Sequence, residues 1–266
     1  MIQTLHSTAL ITGASSGIGA VYADRLARRG HDLILVARDA TRLAAVAQAA
    51  AQHGVSVETI SADLTRAADL LRIEPRLRQD SALGMLVNNA GIGAAPGLAN
   101  ADVDALERMI AINVTAPMRL AAAAASTFAT AERGAIINIS SALALAQELF
   151  SGVYSGTKAF ILNLSLSLRN ELAPRGVRVQ AVLPGATRTA FWASAGSDAE
   201  SLPKEMVMDA EELVDAALAG FDAGEDVTLP SLPDRADWDA FTAARAKLGP
   251  NLSRQHAAAR YRRAAA

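Results

Sequence analysis

Short apolar runs alternate with longer segments of helical periodicity along the first two thirds of the chain. The apolar runs predict six strands, at Thr8–Thr12, Asp32–Ala37, Val55–Ile60, Met85–Asn88, Ala135–Ile139 and Val177–Val182. The intervening segments predict helices at Gly17–Gly30, Asp39–His53, Arg66–Gln79, Asp102–Thr130 and Val153–Leu172. Such alternation indicates parallel strands with helical crossovers, and strands that are apolar on both faces are covered on both sides. We therefore predict an α/β fold, a doubly wound parallel sheet in three layers and a single domain.

The C-terminal part of the chain, from about Phe191, breaks this alternation. We predict a substrate lid at about 190–208, because loops of this length are uncommon in compact domains and are often functional. A capping segment, a helix followed by a tail, is predicted at about 230–266. No Pro/Ser-rich linker and no fixed repeat divides the sequence, so we expect these parts to belong to the same domain.

Composition and charge exclude several classes of protein. Of the 266 residues, 51% are hydrophobic, enough for one buried core, and the net charge of −2 argues against nucleic acid or an anionic membrane as partner. Cysteine is absent, which removes disulfides and thiolate metal sites, and the four histidines have no ligand-like spacing, so we predict no metal. No stretch reaches the apolar length of a membrane span and no basic signal sequence begins the chain. The expected location is cytoplasmic.

A glycine-rich turn follows the first predicted strand and precedes the first helix. It contains Gly13, Ala14, Ser15, Ser16, Gly17, Ile18 and Gly19. Glycines let a pyrophosphate approach the main chain closely, and the helix N-terminus offers unpaired N–H groups to it. The spacing is G-x-x-x-G-x-G, and a tight turn without a ligand is the alternative. Its place after the first strand favours dinucleotide binding.

The ends of the second and third strands indicate which dinucleotide is bound. Arg38 follows the second strand, where NAD-binding proteins usually carry a carboxylate. Because arginine binds a 2′-phosphate with two hydrogen bonds, we predict NADP (NADPH), with NAD less favoured and a solvated loop charge as the alternative for Arg38. Asp39 is better explained as a helix cap. Asp63, with Leu64 beside it, is a candidate for the adenine amino group, or another cap.

Tyr154 and Lys158 are the candidates for acid–base chemistry. Residues four apart lie on one face of a helix, and this helix follows the fifth strand, where ligands gather at the carboxyl ends of parallel strands. Lowering a tyrosine pKa by about 3 units needs roughly 4 kcal/mol, which one ammonium about 4 Å away supplies at an effective dielectric constant near 20. We therefore expect Lys158 to lower the pKa of Tyr154. A helix surface pair without a chemical role is the alternative.

A hydroxyl that holds the developing alkoxide should lie nearby. Ser140 and Ser141 both end the fifth strand. Ser141 lies thirteen residues before Tyr154, Ser140 is its competitor, and a hydrogen bond at the end of the strand explains either one.

Several motifs in order resemble the short-chain dehydrogenase/reductase family, in its compact single-domain branch with a Rossmann-like fold. The resemblance covers roughly Thr8 to Thr189. It rests on the glycine turn with Thr12, Asn88-Asn89-Ala90-Gly91, Asn113, Ser140-Ser141, the Tyr154–Lys158 pair and Pro184-Gly185 with Thr189.

The resemblance implies a role for each matching residue. Tyr154 would be the catalytic acid/base, Lys158 would lower its pKa and bind the nicotinamide ribose, and Ser141 would orient the carbonyl. Asn113 would hold a water that links Lys158 to solvent, unless it only bonds main chain within its helix. Two further groups would contact the cofactor: Asn89, Ala90 and Gly91 on the adenosine side, and Pro184, Gly185, Thr189 or the neighbouring Thr187 at the carboxamide.

The predicted function is therefore an NADP(H)-dependent oxidoreductase that interconverts a carbonyl and an alcohol. The alternative is a non-catalytic dinucleotide sensor on the same fold, which need not keep a complete Ser, Tyr, Lys and Asn set. Phe191 and Trp192 in the lid, with the loop Leu143–Phe150, suggest an apolar or mixed small-molecule substrate, unless they only pack on the body. The family resemblance and the apolar surface of Val153–Leu172 suggest a homodimer or homotetramer, and we expect neither nucleic acid nor a membrane as partner.

Overall fold

Buried, apolar strands form the centre of the fold in a computed structural model, which describes residues 7–93, 97–149, 151–194 and 201–261. The strands are β1 Thr8–Thr12, β2 Leu33–Ala37, β3 Val57–Ser61, β4 Leu83–Asn88, β5 Ala135–Ile139, β6 Arg178–Val182, β7 Ala186–Arg188, β8 Val207–Asp209 and β9 Val227–Thr228. The α-helices are α1 Gly17–Arg28, α2 Ala40–Ala51, α3 Ala67–Gln79, α4 Val103–Ile110, α5 Ala116–Ala131, α6 Gly152–Leu172, the short α7 Phe191–Ser194, α8 Ala210–Asp222 and α9 Arg235–Ala246.

Seven of these strands form one sheet in the order β3-β2-β1-β4-β5-β6-β9. Every neighbouring pair in this sheet is parallel. The order runs outward from β1 in both directions, so the carboxyl ends of β1 and β4 lie side by side at the point where ligands bind in such sheets. The predicted doubly wound parallel sheet is confirmed.

Alternate residues of the central strands face two separate hydrophobic cores. Ile11, Val87 and Ile137 pack with residues of α1 and α8 on one face. Their neighbours in sequence, such as Leu86 and Ile136, pack with residues of α3, α5 and α6 on the other. Because side chains alternate along a strand, only strands that are apolar throughout can fill both cores. The predicted three layers are therefore present.

The helix predicted at Asp102–Thr130 is interrupted in the structure. Ala111–Thr115 form a π-helical turn between α4 and α5. Pro117 lies four residues after Asn113 and has no N–H to donate to its carbonyl, and its ring would crowd that carbonyl in a regular α-helix. Widening of the helix at this point avoids the clash.

This helical stretch also corrects one expectation from the sequence. Val103–Ala131 is long and apolar enough to cross a membrane by length and composition alone. More than half of its most apolar window is buried inside the protein, as is typical of a core helix.

The sequence analysis assigns no strand or helix between β6 and the predicted capping segment. β7 and β8 pair in parallel as a separate two-stranded sheet, α8 packs on the core beside α1, and β9 extends the main sheet beside β6. The predicted lid at about 190–208 spans the region between β7 and β8. Residues 195–200 of the lid and Phe150 of the preceding loop lie outside the described residues.

The chain divides into two compact units, Met1–Pro230 and Ser231–Ala266. The first contains both sheets. The second contains α9, where the ring centroids of Trp238 and Phe241 are 5.5 Å apart. The division falls where the sequence predicts the capping segment to begin, and its grouping into a single domain stays a prediction.

Candidate active site

The first two turns of α6 place Tyr154 and Lys158 together. Ser151 caps the helix, since its hydroxyl accepts a hydrogen bond from the Tyr154 N–H at 3.5 Å. The Nζ of Lys158 lies 5.7 Å from the centroid of the Tyr154 ring. Both side chains are buried, with exposed fractions of 6% and 5%. The two groups that the sequence predicts to act together are therefore neighbours.

The structure separates the two serines at the end of β5. The side chain of Ser141 is hydrogen-bonded to that of Tyr154, and its Oγ also accepts the Leu143 N–H at 3.1 Å. Ser140 Oγ instead donates to the main-chain carbonyl of Lys158 at 2.7 Å. Ser141 thus faces the phenol, whereas Ser140 ties the end of β5 to α6.

Burial dominates the electrostatics of the tyrosine and the lysine. Loss of solvent raises the pKa of Tyr154 above its ordinary value, although the hydrogen bond with Ser141 acts in the opposite direction. Loss of solvent lowers the pKa of Lys158 to about 8. The Lys158 Nζ donates to the carbonyl oxygen of Ile139 at 3.0 Å. The expectation that Lys158 lowers the pKa of Tyr154 is therefore wrong for this structure, because desolvation of the phenol is the larger effect.

Asn113 lies in the π-helical turn and is buried. Its Oδ1 accepts the Ile92 N–H at 3.0 Å, and its Nδ2 donates to the Ile92 carbonyl at 2.9 Å and to Thr157 Oγ1 at 3.1 Å. The main-chain partner of Asn113 is therefore Ile92 in the loop after β4 and not a residue of its own helix, and the bond to Thr157 links this loop to α6. A Cβ added to Gly91 would lie 3.1 Å from Asn113 Oδ1 and 3.5 Å from Lys158 Nζ. The absence of a side chain at Gly91 keeps the space between those two groups free, whereas the proton-relay role of Asn113 stays a prediction.

Asn89 fixes the glycine turn from the neighbouring strand. Its Nδ2 donates to the carbonyls of Thr12 and Gly13 at 2.9 and 3.2 Å. An added Cβ would lie 2.8 Å from this Nδ2 at Gly13 and 2.5 Å from it at Gly19, so a side chain at either position would displace the amide. Gly13 and Gly17 also have φ values of +66° and +53°, which favour glycine.

Thr12 joins β1 to β4 below the turn and was not among the predicted site residues. Its Oγ1 accepts the N–H groups of Asn89 and Ala90 at 3.0 and 3.1 Å and donates to the Val87 carbonyl. A hydroxyl directly before the first glycine is the sequence signal for this role. Thr12 thereby sets the position of the segment Asn89–Gly91 against the turn.

The N-terminus of α1 is accessible to an anion. Ser16, at the cap position, is exposed, and in the described residues its side chain makes no capping bond and the first helical turn carries no acidic residue. Ser15, Gly17 and Ile18 are partly exposed beside it. The positive end of the helix dipole and the main-chain N–H groups therefore suit a pyrophosphate.

Arg38 and Asp39 have different environments, as the sequence predicts. Arg38 is exposed at the end of β2, and its carbonyl accepts Ser61 Oγ from the end of β3 at 3.2 Å. Asp39 caps α2 by accepting the Arg42 N–H at 3.0 Å. Arg38 is therefore the residue at this end of the sheet with an exposed charge available for a ligand.

Asp63 begins the turn after β3. Its Oδ1 accepts both the N–H and the hydroxyl of Thr65, at 3.0 and 2.8 Å, while Leu64 is buried. The cap position of α3 is Arg66, so Asp63 stabilises the turn before the helix. The proposed contact of Asp63 with adenine is not tested by this geometry.

The segment after β6 returns to the glycine turn. The Pro184 carbonyl accepts the Ala142 N–H at 2.8 Å, and Thr187 Oγ1 donates to the Gly185 carbonyl at 3.1 Å. Thr189 lies closer to the turn, since a Cβ at Gly17 would be 3.1 Å from its Cγ2. This geometry favours Thr189 over Thr187 as the threonine that contacts the glycine turn.

Phe191 begins α7 and brings an aromatic ring to the catalytic candidates. Its ring centroid is 5.7 Å from that of Tyr154, at an interplanar angle of 55°. Spacing along the sequence gives no signal for this contact, because the two residues lie in different loops and helices. Phe191 therefore belongs to the wall of the candidate active site.

Comparisons with known proteins agree with this geometry. A family model described as short chain dehydrogenase matches residues 7–200. Serine 3-dehydrogenase of Agrobacterium fabrum is 36% identical over 191 residues, which are 70% of this chain and 74% of that protein.

Two solved structures are similar over nearly their whole length. A short-chain dehydrogenase from Sphingobium yanoikuyae, in complex with NADPH, is 52% identical with a TM-score of 0.93 and covers 96% of this chain and 100% of its own. A bulky-bulky ketone specific alcohol dehydrogenase from Comamonas testosteroni is 47% identical with a TM-score of 0.88 and covers 96% and 98%.

Proposed function

The chain belongs to the short-chain dehydrogenase family, and we propose that it catalyses the NADPH-dependent interconversion of a ketone and a secondary alcohol. The similar proteins described above are oxidoreductases. The observation that carries the proposal is the buried contact of Ser141, Tyr154 and Lys158 beside the glycine turn. This set combines two hydroxyl groups for a carbonyl oxygen with an ammonium group next to the proposed cofactor site.

The residues present fit a nicotinamide dinucleotide. The tight packing at Gly13 and Gly19 and the accessible N-terminus of α1 suit the pyrophosphate. The remaining contacts are proposed for Arg38 at the 2′-phosphate, Asp63, Leu64, Asn89, Ala90 and Gly91 on the adenosine side, Tyr154 and Lys158 at the ribose, and Pro184, Gly185, Thr187 and Thr189 at the nicotinamide. When bound, the reduced cofactor would supply the hydride.

Exposure of Arg38 at the end of β2 supports NADP(H) over NAD(H). The similar protein from Sphingobium yanoikuyae, which is in complex with NADPH, supports the same cofactor. Asp39, the neighbouring carboxylate, accepts the N–H of Arg42 as the cap of α2.

Tyr154 suits the role of proton donor during ketone reduction. Because burial raises its pKa, the phenol keeps its proton at neutral pH. The proton would pass from the Tyr154 oxygen to the developing alkoxide oxygen, which the Ser141 hydroxyl would stabilise with a second hydrogen bond. Lys158, with a pKa of about 8, is itself mostly protonated at neutral pH. We propose that Asn113 holds a water through which protons return from solvent.

Apolar side chains around the rim support a ketone with apolar substituents. Phe191 lies over Tyr154, and Leu143 and Leu145 are partly exposed in the loop after β5. The ketone-specific dehydrogenase from Comamonas testosteroni has nearly the same fold, which supports ketones with two large substituents as the first compounds to assay.

Turnover by the full chain tests the proposal. Purified protein is mixed with NADPH and a panel of ketones, and loss of the reduced cofactor is followed by absorbance. Tyr154→Phe removes the proton donor but keeps the ring, so turnover is expected to fall by about 10²–10⁴-fold while NADPH affinity changes little. Full activity in this variant would contradict the role of Tyr154. NADPH binding by the wild type without turnover of any ketone would favour the dinucleotide sensor.

The assembly and location of the protein remain separate proposals. We propose a homodimer or homotetramer in the cytoplasm, and a monomeric mass by light scattering at about micromolar concentration would contradict the assembly.

A further inference from the structure

Phe191 is an aromatic side chain that approaches the proposed proton donor. Its ring is tilted by 55° against that of Tyr154 at a centroid distance of 5.7 Å. Trp192 packs edge-on against Phe191, with centroids 6.2 Å apart and an interplanar angle of 87°. Phe191 is thus in contact range of both the phenol and a second aromatic ring.

The main chain around Phe191 is anchored by hydrogen bonds. The Phe191 N–H donates to Thr189 Oγ1 at 3.3 Å, and Trp192 Nε1 donates to the Thr187 carbonyl at 2.8 Å. Thr187 belongs to β7, which pairs with β8. The ring of Phe191 therefore projects from a fixed backbone toward Tyr154.

We propose that Phe191 determines which ketones the enzyme accepts, by forming the wall against one of the two carbonyl substituents. A ketone oxygen within hydrogen-bond distance of the Tyr154 hydroxyl places its substituents a few ångströms from the phenol. A rigid aromatic ring beside the same phenol limits the volume open to one of them. Trp192 is a positioning residue, since its contacts hold Phe191. This inference rests on the proposed function, which it deepens from a reaction class to a substrate-selecting contact.

Changing the size of the side chain in both directions tests the inference. Phe191→Ala removes the ring and Phe191→Trp enlarges it. The full chain and both variants are assayed with NADPH and a series of ketones in which one substituent is constant and the other grows from methyl to a fused aromatic ring. One methylene in an apolar pocket changes kcat/KM by about 10–200-fold, so a whole ring should shift the preference by at least about tenfold.

The two variants should shift the preference in opposite directions. Phe191→Ala is expected to raise kcat/KM for the largest ketone relative to the smallest, and Phe191→Trp to lower it. The affinity for NADPH, measured by fluorescence, should stay within about twofold in both, because the ring contacts the phenol and not the glycine turn. Phe241→Ala, an aromatic truncation at an exposed site of α9, is the matched control and should leave the preference unchanged.

The outcomes separate this inference from the proposed function. Wild-type turnover of ketones with an unchanged size preference in both variants overturns the role of Phe191 alone. A wild type that binds NADPH and reduces no ketone overturns the proposed function and the inference with it. Should circular dichroism show that Phe191→Ala does not fold, Phe191→Leu replaces it, and the same shift toward larger ketones is expected.

Discussion

Replacing the buried lysine should make the protein more stable against unfolding while it destroys activity. Lys158 lies in a site where loss of solvent lowers its pKa from 10.5 to about 8. The difference between these values, at about 1.36 kcal/mol per pH unit, corresponds to roughly 3 kcal/mol of cost for an ammonium in this site. Lys158→Met keeps a side chain of similar length and removes that cost. The hydrogen bond to the Ile139 carbonyl is lost with it, which offsets about 1–2 kcal/mol.

The sign of the pH dependence follows from the depressed pKa. Between about pH 8 and 10.5 the unfolded chain holds a proton on this lysine that the folded protein does not, so wild-type stability rises with pH in that window. Below about pH 8 the amine is protonated in both states and the full cost is present. The stability advantage of the methionine variant is therefore largest near neutral pH and should fall by roughly 2–3 kcal/mol by about pH 10, where the variant is no longer the more stable protein.

Urea denaturation at about pH 7 and about pH 10 measures this difference, followed by tryptophan fluorescence. The raised pKa of Tyr154 makes both proteins less stable as the pH rises above the ordinary tyrosine range, and this effect cancels in the comparison. Lys247→Met, at an exposed lysine, is the matched control and should show no such pH dependence. A stability difference between wild type and Lys158→Met that stays constant over this range would refute the reasoning.

Two further predictions concern the cofactor and the proton donor. Arg38→Ala should weaken NADPH binding by roughly 10–100-fold and NADH binding little, as measured by fluorescence titration. Arg42→Ala, in the first turn of α2, is the control and should affect neither cofactor. Equal losses for both cofactors would show that Arg38 does not bind a 2′-phosphate. Ser141→Ala should lower kcat by about 10²-fold with little change in thermal stability. Ser140→Ala should cost about 1 kcal/mol of stability, because the bond that ties the end of β5 to the Lys158 carbonyl is lost. A larger kcat loss from Ser140→Ala would reverse the assignment.

The main sheet is predictable, apart from short errors at the ends of its strands, because six of its seven strands have five or six residues and five of these six are mostly buried. β9 contains two residues, which is too short for any periodic signal. The helix α8 has a clear apolar face in the structure but follows a segment without alternation, so the sequence analysis leaves it unassigned. The π-helical turn is hidden for a different reason: the hydrophobic pattern continues through it, and only Pro117 marks the point where regular hydrogen bonding fails.

The parts of the candidate site that the sequence predicts are those in which the spacing of two residues along a helix fixes their relative position. Tyr154 and Lys158 are one helical turn apart, so their shared face follows from the sequence. The choice between Ser140 and Ser141 was open because both end β5, and it depends on which side of the sheet each faces. The pKa of Tyr154 was predicted in the wrong direction, because a four-residue spacing does not reveal that burial outweighs a neighbouring charge.

The pairing of β7 with β8 has a consequence for how this protein can change over time. The two strands are parallel, so the intervening segment leaves the end of β7 and crosses back to the start of β8, and Arg188 Nε donates to Asp209 Oδ1 across the pair at 3.1 Å. The length of a loop closed in this way changes its entropic cost only slowly. Insertions, deletions and substitutions between the two strands can thus accumulate at little cost to the stability of the fold. Homologous enzymes can diverge in the compounds they accept while inheriting one unaltered proton-transfer apparatus.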